Sequence, residues 1–455
     1  MNILVINGSP KGEYSITYQT VLYLQTVFNN HSYEVLHVGQ IYRKYEKDFS
    51  EAKAAIEKAD LLLFSYPVYT FLVPYQLHRF IELIKENKVD LKGKVATQIT
   101  TSKHFYDVTA HRFIEDNVKD MGLKYIKGFS ADMDDLLTKK GQKDALVFFR
   151  MLMLDIDNKL YEPSHPSLPI ANHVKVTKLT QESEKKADKD SIRTVAIVAD
   201  LRDDDSQLKD MIERFSIRMG MCNIKTRFVN IRKANIKGGC LSCFYCASTG
   251  ECVYKDDFQS MLRNQIQECD GIVLAFSIKD HSMGSTFKMY DDRQFCNGHR
   301  TVTMGKPFGY LISGNLSVEE NLRMVIEARA EVGGNFLAYV ATDEFDPDTE
   351  IDTLSKKLNF ALKHEFYKPA NFYGVGGMKI FRDLIYLMQG LMRADHRFYK
   401  EHGQYDFPQK KKGTLLKMYA VGALVNNPKI LKKIGKNAMN EGAVKPYKKV
   451  IEKRK

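Results

Sequence analysis

Apolar runs of strand length alternate with helical patterns at the start of this chain, and that alternation limits the fold most. Ile3–Ile6, Leu61–Phe64 and Val95–Ile99 have the length and character of buried strands. The segment after Pro74 has helical periodicity, with apolar residues at positions 77, 80, 81 and 84. Strands that alternate with helices predict a parallel sheet with helices on both faces.

The same pattern occurs a second time further along the chain. Val195–Ala199, Ile272–Phe276 and Phe308–Ser313 correspond to the three strands of the first copy. Asp270 precedes the second of them as Asp60 does in the first copy. The second copy is longer, and most of its extra residues fall around a cysteine-rich segment. A tandem α/β protein is therefore expected.

The chain has 455 residues, which is too long for one ordinary domain. We predict an α/β domain over residues 1–160, a linker over 161–192, a second α/β domain over 193–345 and a helical basic extension over 346–455. The linker prediction rests on the Lys-, Ser-, Asp- and Pro-rich composition of Glu162–Arg193. No run of about 18 apolar residues indicates a membrane span, and no signal peptide is apparent, so a cytoplasmic protein is expected.

The first strand of the first copy leads into a loop rich in glycine and hydroxyl residues. This first loop, residues 7–17, reads Asn-Gly-Ser-Pro-Lys-Gly-Glu-Tyr-Ser-Ile-Thr, and a helix follows from about Thr17. Backbone N–H groups and the dipole at a helix N-terminus favour an anion there. The loop matches neither the dinucleotide fingerprint nor the ATP loop, and it suits a single phosphate monoester. A plain Ser-capped turn is the structural alternative.

Two further loops follow strands at the same edge of the predicted sheet. The second loop, residues 65–71, and the third loop, residues 100–106, both mix aromatic side chains with tight turns. Ligands of open parallel sheets bind outside the carboxyl ends of the strands. Together the three loops suit a flat heteroaromatic ring that carries a phosphate, although the aromatics alone could be ordinary packing.

The motifs Gly8-Ser-Pro-Lys11, Ser15-Ile-Thr17 and Pro67-Val-Tyr69, with Leu77-His-Arg-Phe80, resemble the NAD(P)H-dependent FMN reductase family of flavodoxin-like folds. The resemblance covers roughly residues 1–150. It implies that FMN is the cofactor and NAD(P)H the electron donor. It places the FMN phosphate on Ser9, Lys11, Ser15, Ile16 and Thr17. It places the flavin ring between two sets of residues. The second loop contributes Pro67, Val68, Tyr69, Thr70 and Phe71, and the third loop contributes Thr101, Ser102, His104 and Phe105. His104 could equally be an ordinary surface histidine.

The second copy departs from this pattern in its own first loop. Ala199-Asp-Leu-Arg-Asp-Asp-Asp-Ser206 has four carboxylates where a phosphate would sit. Such a loop repels phosphate. We therefore do not expect the second copy to bind FMN in the same way.

Four of the seven cysteines lie within thirteen positions of the second copy: Cys240, Cys243, Cys246 and Cys252. Compact C-x2-C runs hold four-iron clusters, whereas zinc sites more often use two separated pairs. The spacing resembles iron–sulfur flavoproteins, which implies that the four cysteines hold a [4Fe–4S] cluster. Asp256-Asp-Phe258 fits that resemblance. Zinc, or thiols that have lost a cluster, remain alternatives. The other three cysteines, at positions 222, 269 and 296, are expected to be small buried hydrophobes.

Basic charge is concentrated at the C-terminus. Residues 351–455 carry 23 Lys/Arg and 8 Asp/Glu, whereas the rest of the chain carries 45 and 48. Lys residues interleaved with apolar ones suit an interfacial helix, so peripheral membrane contact is one expectation. A helix packed on the body is the alternative for Ile380–Met388. We interpret the last twenty residues as a solvated basic end. Nothing beyond charge indicates nucleic-acid binding, so none is expected.

These observations predict an FMN-dependent oxidoreductase that takes hydride from NAD(P)H. It would reduce a flavin, a quinone or another small acceptor, or pass electrons through the cluster to a redox protein partner. No catalytic acid or base is expected, because the cofactor carries the chemistry. Two alternatives are an electron carrier that serves protein partners and a scaffold with vestigial sites that docks through the basic tail. Related folds commonly dimerise, so a homo-oligomer is also an expectation.

Overall fold

The computed structural model describes residues 1–163, 173–179, 193–406, 412–427, 429–430 and 438–454. Most of the predicted linker and most of Lys429–Lys436 therefore lie outside the described residues. Within the described part, no helix is long and apolar enough to cross a membrane. The chain forms two compact units, and we describe each separately.

The first unit contains residues 1–163 together with 239–242 and the described residues of 420–454. Its strands are β1 Asn2–Asn7, β2 Ser32–Leu36, β3 Leu61–Pro67, β4 Val95–Ser102, β5 Lys124–Tyr125 and β6 Phe129–Asp132. Its first six helices are α1 Ile16–Val27, α2 Val38–Lys47, α3 Ser50–Lys58, α4 Tyr75–Glu86, α5 Asp107–Asp120 and α6 Lys139–Asn158.

The first sheet is parallel throughout and has the order β2-β1-β3-β4-β5, with β6 also pairing with β4. The register pairs Ile3 with Leu61 and Leu61 with Val95. β3 and β4 are almost completely buried, as expected for parallel strands covered on both faces. The carboxyl ends of β1, β3 and β4 are adjacent, so the first, second and third loops meet at one edge.

The second unit repeats this arrangement with strands β7 Thr194–Ala199, β8 Lys225–Asn230, β9 Gly271–Ser277, β10 Pro307–Ser313 and β11 Phe336–Thr342. They form a parallel sheet with the order β8-β7-β9-β10-β11. Both sheets thus have the 2-1-3-4-5 order of flavodoxin-like folds. The predicted tandem α/β architecture is confirmed.

Helices surround the second sheet and continue beyond it. They are α7 Ser206–Met221, α8 Tyr245–Thr249, α9 Phe258–Ser260 (which continues as a π-helix over Met261–Gln267), α10 Gly284–Arg293, α11 Glu320–Val332, α12 Pro347–His364, α13 Phe372–Leu387 and α14 Arg393–Glu401. In α13, Ile385 is fully buried against residues of α14 and α8, so the packed alternative for Ile380–Met388 describes this helix. α12 covers β11 and β10.

Two C-terminal helices follow, α15 Lys412–Val425 and α16 Ala438–Glu452. α16 packs on the first unit: Val444, Tyr447 and Ile451 are buried, and the last two join the core that contains Val21 and Leu24 of α1. The interpretation of the last twenty residues as a solvated basic end is therefore wrong. An apolar stripe on this helix anchors it despite its many Lys residues.

Candidate functional site

Asn7 shapes the first loop from the end of β1. Its side-chain Nδ2 donates to the carbonyl of Gly12 at 2.9 Å, and its Oδ1 accepts from the N–H of Ser9 at 3.1 Å. Gly12 has a φ of +55°, and a Cβ there would collide with Gln40. The loop is therefore held in one conformation by a buried amide that sequence reasoning did not single out.

The first turn of α1 presents backbone donors at this loop. Ser15 is the N-cap residue, and its hydroxyl accepts from the N–H of Tyr18 at 3.4 Å. For the N–H groups of Ile16 and Thr17 no acceptor is found in the part of the chain that the structure describes. Ser9, Ser15 and Thr17 are buried, so their polar groups are fixed in place. Such an arrangement of fixed donors suits an anion.

A hydroxyl pair connects the first loop to the third. The Oγ1 atoms of Thr17 and Thr101 lie 2.6 Å apart and form a hydrogen bond in which either can donate. One of the two protons is thus used internally, and the other is available to a third group. The structure therefore brings the predicted phosphate residues and the predicted ring residues together at one edge of the sheet.

The second loop forms a tight turn at the end of β3. Tyr69 and Leu72 exchange two backbone hydrogen bonds of 2.8 and 3.0 Å, and Thr70 and Phe71 between them have φ values of 39° and 70°. Positive φ in two consecutive non-glycine residues is strained, and such strain is common at ligand sites. The N–H of Val68 donates to the carbonyl of Thr101 at 3.3 Å and joins this loop to the third.

The third loop is held by polar contacts around His104. The N–H of His104 donates to the Ser102 hydroxyl at 2.8 Å, and its Nδ1 lies 2.9 Å from the Asp107 carboxylate. Burial acts to raise the pKa of Asp107, but hydrogen bonds from Ser130 and His104 outweigh it and keep that pKa below its ordinary value. His104 itself is exposed, with a φ of 55°. Its contact to Asp107 fixes the loop.

Three aromatic rings of the second and third loops pack on each other. The ring centroid of Phe71 lies 5.1 Å from that of Phe105 and 4.4 Å from that of Tyr106. Phe71 is buried in this cluster, while Phe105 is partly exposed. Phe71 therefore supports the two loops by packing, whereas the flavin-ring contacts expected of these loops stay a prediction.

These residues fit the FMN that the resemblance implies. The donor set consists of two backbone N–H groups without an acceptor among the described residues, of buried hydroxyls and of Lys11. This is the chemistry that a phosphate monoester requires. The strained turn and the third loop lie beside it.

The second unit has the same turn but a different anion region. Lys279 and Ser282 exchange backbone hydrogen bonds of 2.9 and 3.0 Å around positive-φ Asp280 and His281. At the N-terminus of α7, however, the N-cap residue is Asp205, whose carboxylate accepts from the N–H of Leu208 and from the Ser277 hydroxyl. An internal carboxylate therefore occupies the position that Ser15 has in the first unit.

A cavity of about 460 Å³ opens beside this carboxylate at the carboxyl edge of the second sheet. Its lining includes Asp204, Asp205, Ser277, Ser313 and Glu319. The same lining also contains His173 and Arg202, so the expectation that the second copy does not bind FMN through its phosphate stays a prediction.

The cysteine loop is distributed over both units. Residues 239–242 belong to the first unit, where Gln76 of α4 donates to the carbonyl of Cys240 at 3.3 Å. Cys243, Cys246 and Cys252 belong to the second unit. Burial is the main cause that raises the pKa of Cys246 to about 12, and the nearby thiol of Cys243 raises it further.

Sequence reasoning missed two residues beside Cys252. Cys296 is buried as predicted, but its pKa, raised to about 12 mainly by burial, is also raised by the nearby Cys252. Arg293, the last residue of α10, donates from Nη2 to the sulfur of Cys252 at 3.7 Å. No local sequence signal marked either residue, because both contacts join segments about 40 residues apart.

Thiols that accept from N–H groups are the chemistry that an iron–sulfur cluster requires: Ser242 N–H donates to the Cys240 sulfur at 3.4 Å, and Arg293 Nη2 donates to that of Cys252 at 3.7 Å. In the described part of the second unit, no three of the thiol sulfurs lie within 4.8 Å of one another. Thiolates on one zinc ion, each about 2.3 Å from the metal, would be about 3.8 Å apart. The described thiols therefore do not form a preassembled zinc site. The buried Nε of Arg293 also has no hydrogen-bond partner among the described residues.

Comparisons with known proteins agree with the fold. The family model described as "Flavodoxin-like fold" matches residues 1–133. The chain is 26% identical over 173 residues to a protein named "Iron-sulfur flavoprotein" from Archaeoglobus fulgidus, over 36% of this chain and 78% of that protein.

Two solved structures illustrate the structural likeness. One is RosB with a bound riboflavin-phosphate intermediate, at 15% identity and a TM-score of 0.32, over 38% of this chain and 78% of that one. The other is an apo NADH:FMN oxidoreductase, EMOB, at 19% identity and a TM-score of 0.31, over 36% of this chain and 96% of that one. The family-model match, together with the strand order of the first sheet, identifies residues 1–133 as a flavodoxin-like domain.

Proposed function

We propose that this flavodoxin-like chain is an FMN-dependent oxidoreductase that takes electrons from NAD(P)H in its first unit. In the second unit, Cys243, Cys246 and Cys252, together with Cys240, would hold a [4Fe–4S] cluster. Electrons would leave to a flavin, a quinone or another small acceptor, or to a protein partner through the cluster. A cytoplasmic location is part of this proposal.

The N-terminus of α1 carries the proposal. The N–H groups of Ile16 and Thr17, which find no acceptor within the described part of the chain, and the buried Ser9 and Ser15 provide donors for a phosphate. The match of residues 1–133 to the flavodoxin-like fold supports the assignment independently. The relative from Archaeoglobus, by its name an iron–sulfur flavoprotein, supports the cluster.

The chain's residues would bind and orient the cofactor, and the cofactor would supply the hydride chemistry. Lys11 and the α1 N-terminus bind the phosphate. The second and third loops position the ring edge through their backbone, because their turns are fixed by the Tyr69–Leu72 pair and by the contact between His104 and Asp107. The contact between the rings of Phe71 and Phe105 packs the second loop against the third.

Anaerobic purification followed by flavin, iron and sulfide analysis tests both cofactors. We expect one FMN and about four iron atoms and four sulfides per chain, and bleaching of the flavin absorption on addition of NADH or NADPH. Steady-state NAD(P)H oxidation with a quinone or free flavin should then separate an enzyme from an electron carrier. A colourless protein that neither retains nor takes up FMN would contradict the proposal.

A further inference from the structure

Helix α10 ends in an unusual set of buried charges. Lys288, Asp291, Asp292 and Arg293 are all at most 3% exposed. Buried charges are costly unless they are paired, so each should have a definite partner or role. Lys288 pairs with Asp292, and Asp291 pairs with Arg329. Arg293 differs from these because its contacts extend into the cysteine segment.

A carboxylate and two aromatic rings fix the guanidinium of Arg293. Nη1 and Nη2 form a bidentate pair with the Asp256 oxygens at 2.8 and 2.9 Å. Nη1 also donates to the carbonyl of Gly238 at 2.9 Å. The guanidinium lies 4.5 Å from the ring centroid of Tyr254 and 4.8 Å from that of Phe258. These contacts leave the group almost no freedom, and the cation–π contacts favour its charge.

Asp256 is equally well fixed. Its side chain is fully buried and also accepts from the N–H groups of Lys237 and Phe258, at 2.9 and 3.3 Å. Burial acts to raise the pKa of Asp256, but the hydrogen bond from Arg293 and the backbone bonds outweigh it, so that pKa lies below its ordinary value. Because a guanidinium stays protonated in proteins, the cation that these contacts hold beside Cys252 is permanent.

One donor of this cation contacts a cysteine, and a second donor lacks a partner among the described residues. Nη2 donates to the Cys252 sulfur at 3.7 Å, and the buried Nε has no partner in the described part of the chain. A buried N–H group without an acceptor lowers the stability of the fold, so a bound group is expected to supply the acceptor. A thiolate-bound cluster has such acceptors in its sulfur atoms.

We propose that Arg293 is a positioning residue that holds Cys252 toward the cluster and sets the cluster's reduction potential. This rests on the proposed function. A one-electron reduction adds negative charge to the cluster, and a fixed cation with N–H···S contacts stabilises the reduced form more than the oxidised one. Hydrogen bonds to cluster sulfurs and nearby charge are established determinants of such potentials. Arg293 therefore raises the potential.

The test is an anaerobic redox titration of the full-length holoprotein, followed by EPR and visible spectra. Arg293→Met keeps an unbranched stem between the two rings but removes the charge and all donors. Arg293→Lys keeps the charge but loses the planar fork. Arg218→Met is the matched control: Arg218, on α7 of the same unit, donates to Asp352 at 2.7 Å. Its electrostatic contact with a cysteine is with Cys222, which is not one of the four proposed cluster ligands.

We expect the cluster potential to shift to more negative values in Arg293→Met, by a smaller amount in Arg293→Lys, and not at all in Arg218→Met. Iron loss confined to the two Arg293 variants, with an unchanged circular dichroism spectrum, would support the positioning role. If Arg293→Met does not fold, the cluster potential and iron content of Arg293→Lys test the inference. Full iron content with an unchanged potential in the folded variants would overturn the inference. Wild-type protein with FMN but without iron and sulfide would instead overturn the proposed cluster, and this inference with it.

Discussion

Replacing Ser15 with Asp changes the charge of the proposed phosphate site without removing its helix cap. Asp and Ser are comparable N-cap residues, and Asp205 caps α7 in the second unit by accepting from Leu208. The variant should therefore fold normally. Ser15 is 2% exposed, so the new carboxylate would be poorly screened by solvent.

The expected loss of affinity follows from Coulomb's law. Two unit charges about 4 Å apart at an effective dielectric constant of about 20 repel by about 4 kcal/mol, which is roughly a thousandfold in Kd. Ser15→Asn is the matched control, because Asn caps helices equally well and carries no charge. Fluorescence titration of FMN into the apoprotein measures both variants.

We expect Ser15→Asn to bind FMN nearly as wild type does and Ser15→Asp to bind roughly a thousandfold more weakly. Thermal unfolding of the two apoproteins should coincide. Equal FMN affinities of the Asp and Asn variants would refute the phosphate assignment, because the only intended difference between them is one charge.

Three further predictions address other parts of the chain. Cys243→Ala should remove iron from the protein but leave FMN bound, as metal and flavin analysis of the purified variant would show; retained iron at the wild-type ratio would contradict it. Ile451→Ala should lower the free energy of unfolding by about 2 kcal/mol in urea titrations, because Ile451 is buried in the first core, whereas the exposed Lys453→Ala should have almost no effect. Burial lowers the pKa of His111 to about 4, so between about pH 6.5 and pH 4 the unfolded chain binds a proton that the folded chain does not. The free energy of unfolding should therefore fall by up to about 3 kcal/mol as the pH drops through this window. Urea titrations at several pH values should show a flatter pH dependence for His111→Gln.

The buried parallel strands could be predicted because both of their faces are covered, which gives continuous apolar runs. β1, β3, β7 and β9 were identified in this way. The edge strands β2 and β8 were not, since their exposed faces carry polar residues and leave no such run.

Glycine and proline residues conceal two helices near the C-terminus. Gly374-Val-Gly-Gly377 has three glycines in four residues, a composition that disfavours a helix, yet it lies inside α13, where a Cβ at Gly374 would approach the Glu331 carbonyl to 2.8 Å. In α16 the spacing of Val444, Tyr447 and Ile451 is helical, but Pro446 and the many Lys residues obscured it. Only the packing shows which helix face is buried.

The candidate site was predictable where it depends on local sequence. The first loop and the cysteine spacing are contiguous motifs. The contacts that complete them, such as Thr17 with Thr101 and Arg293 with Cys252, join residues 84 and 41 positions apart. Such pairs depend on the fold, and composition or periodicity does not reveal them.

The most direct test of the central claim is a comparison of FMN and riboflavin binding to the full-length apoprotein by isothermal titration calorimetry. The two ligands share the ring and differ in the phosphate. If the N-terminus of α1 is the phosphate site, FMN should bind with one site per chain and riboflavin far more weakly. Equal affinities, or no binding of FMN, would contradict the account.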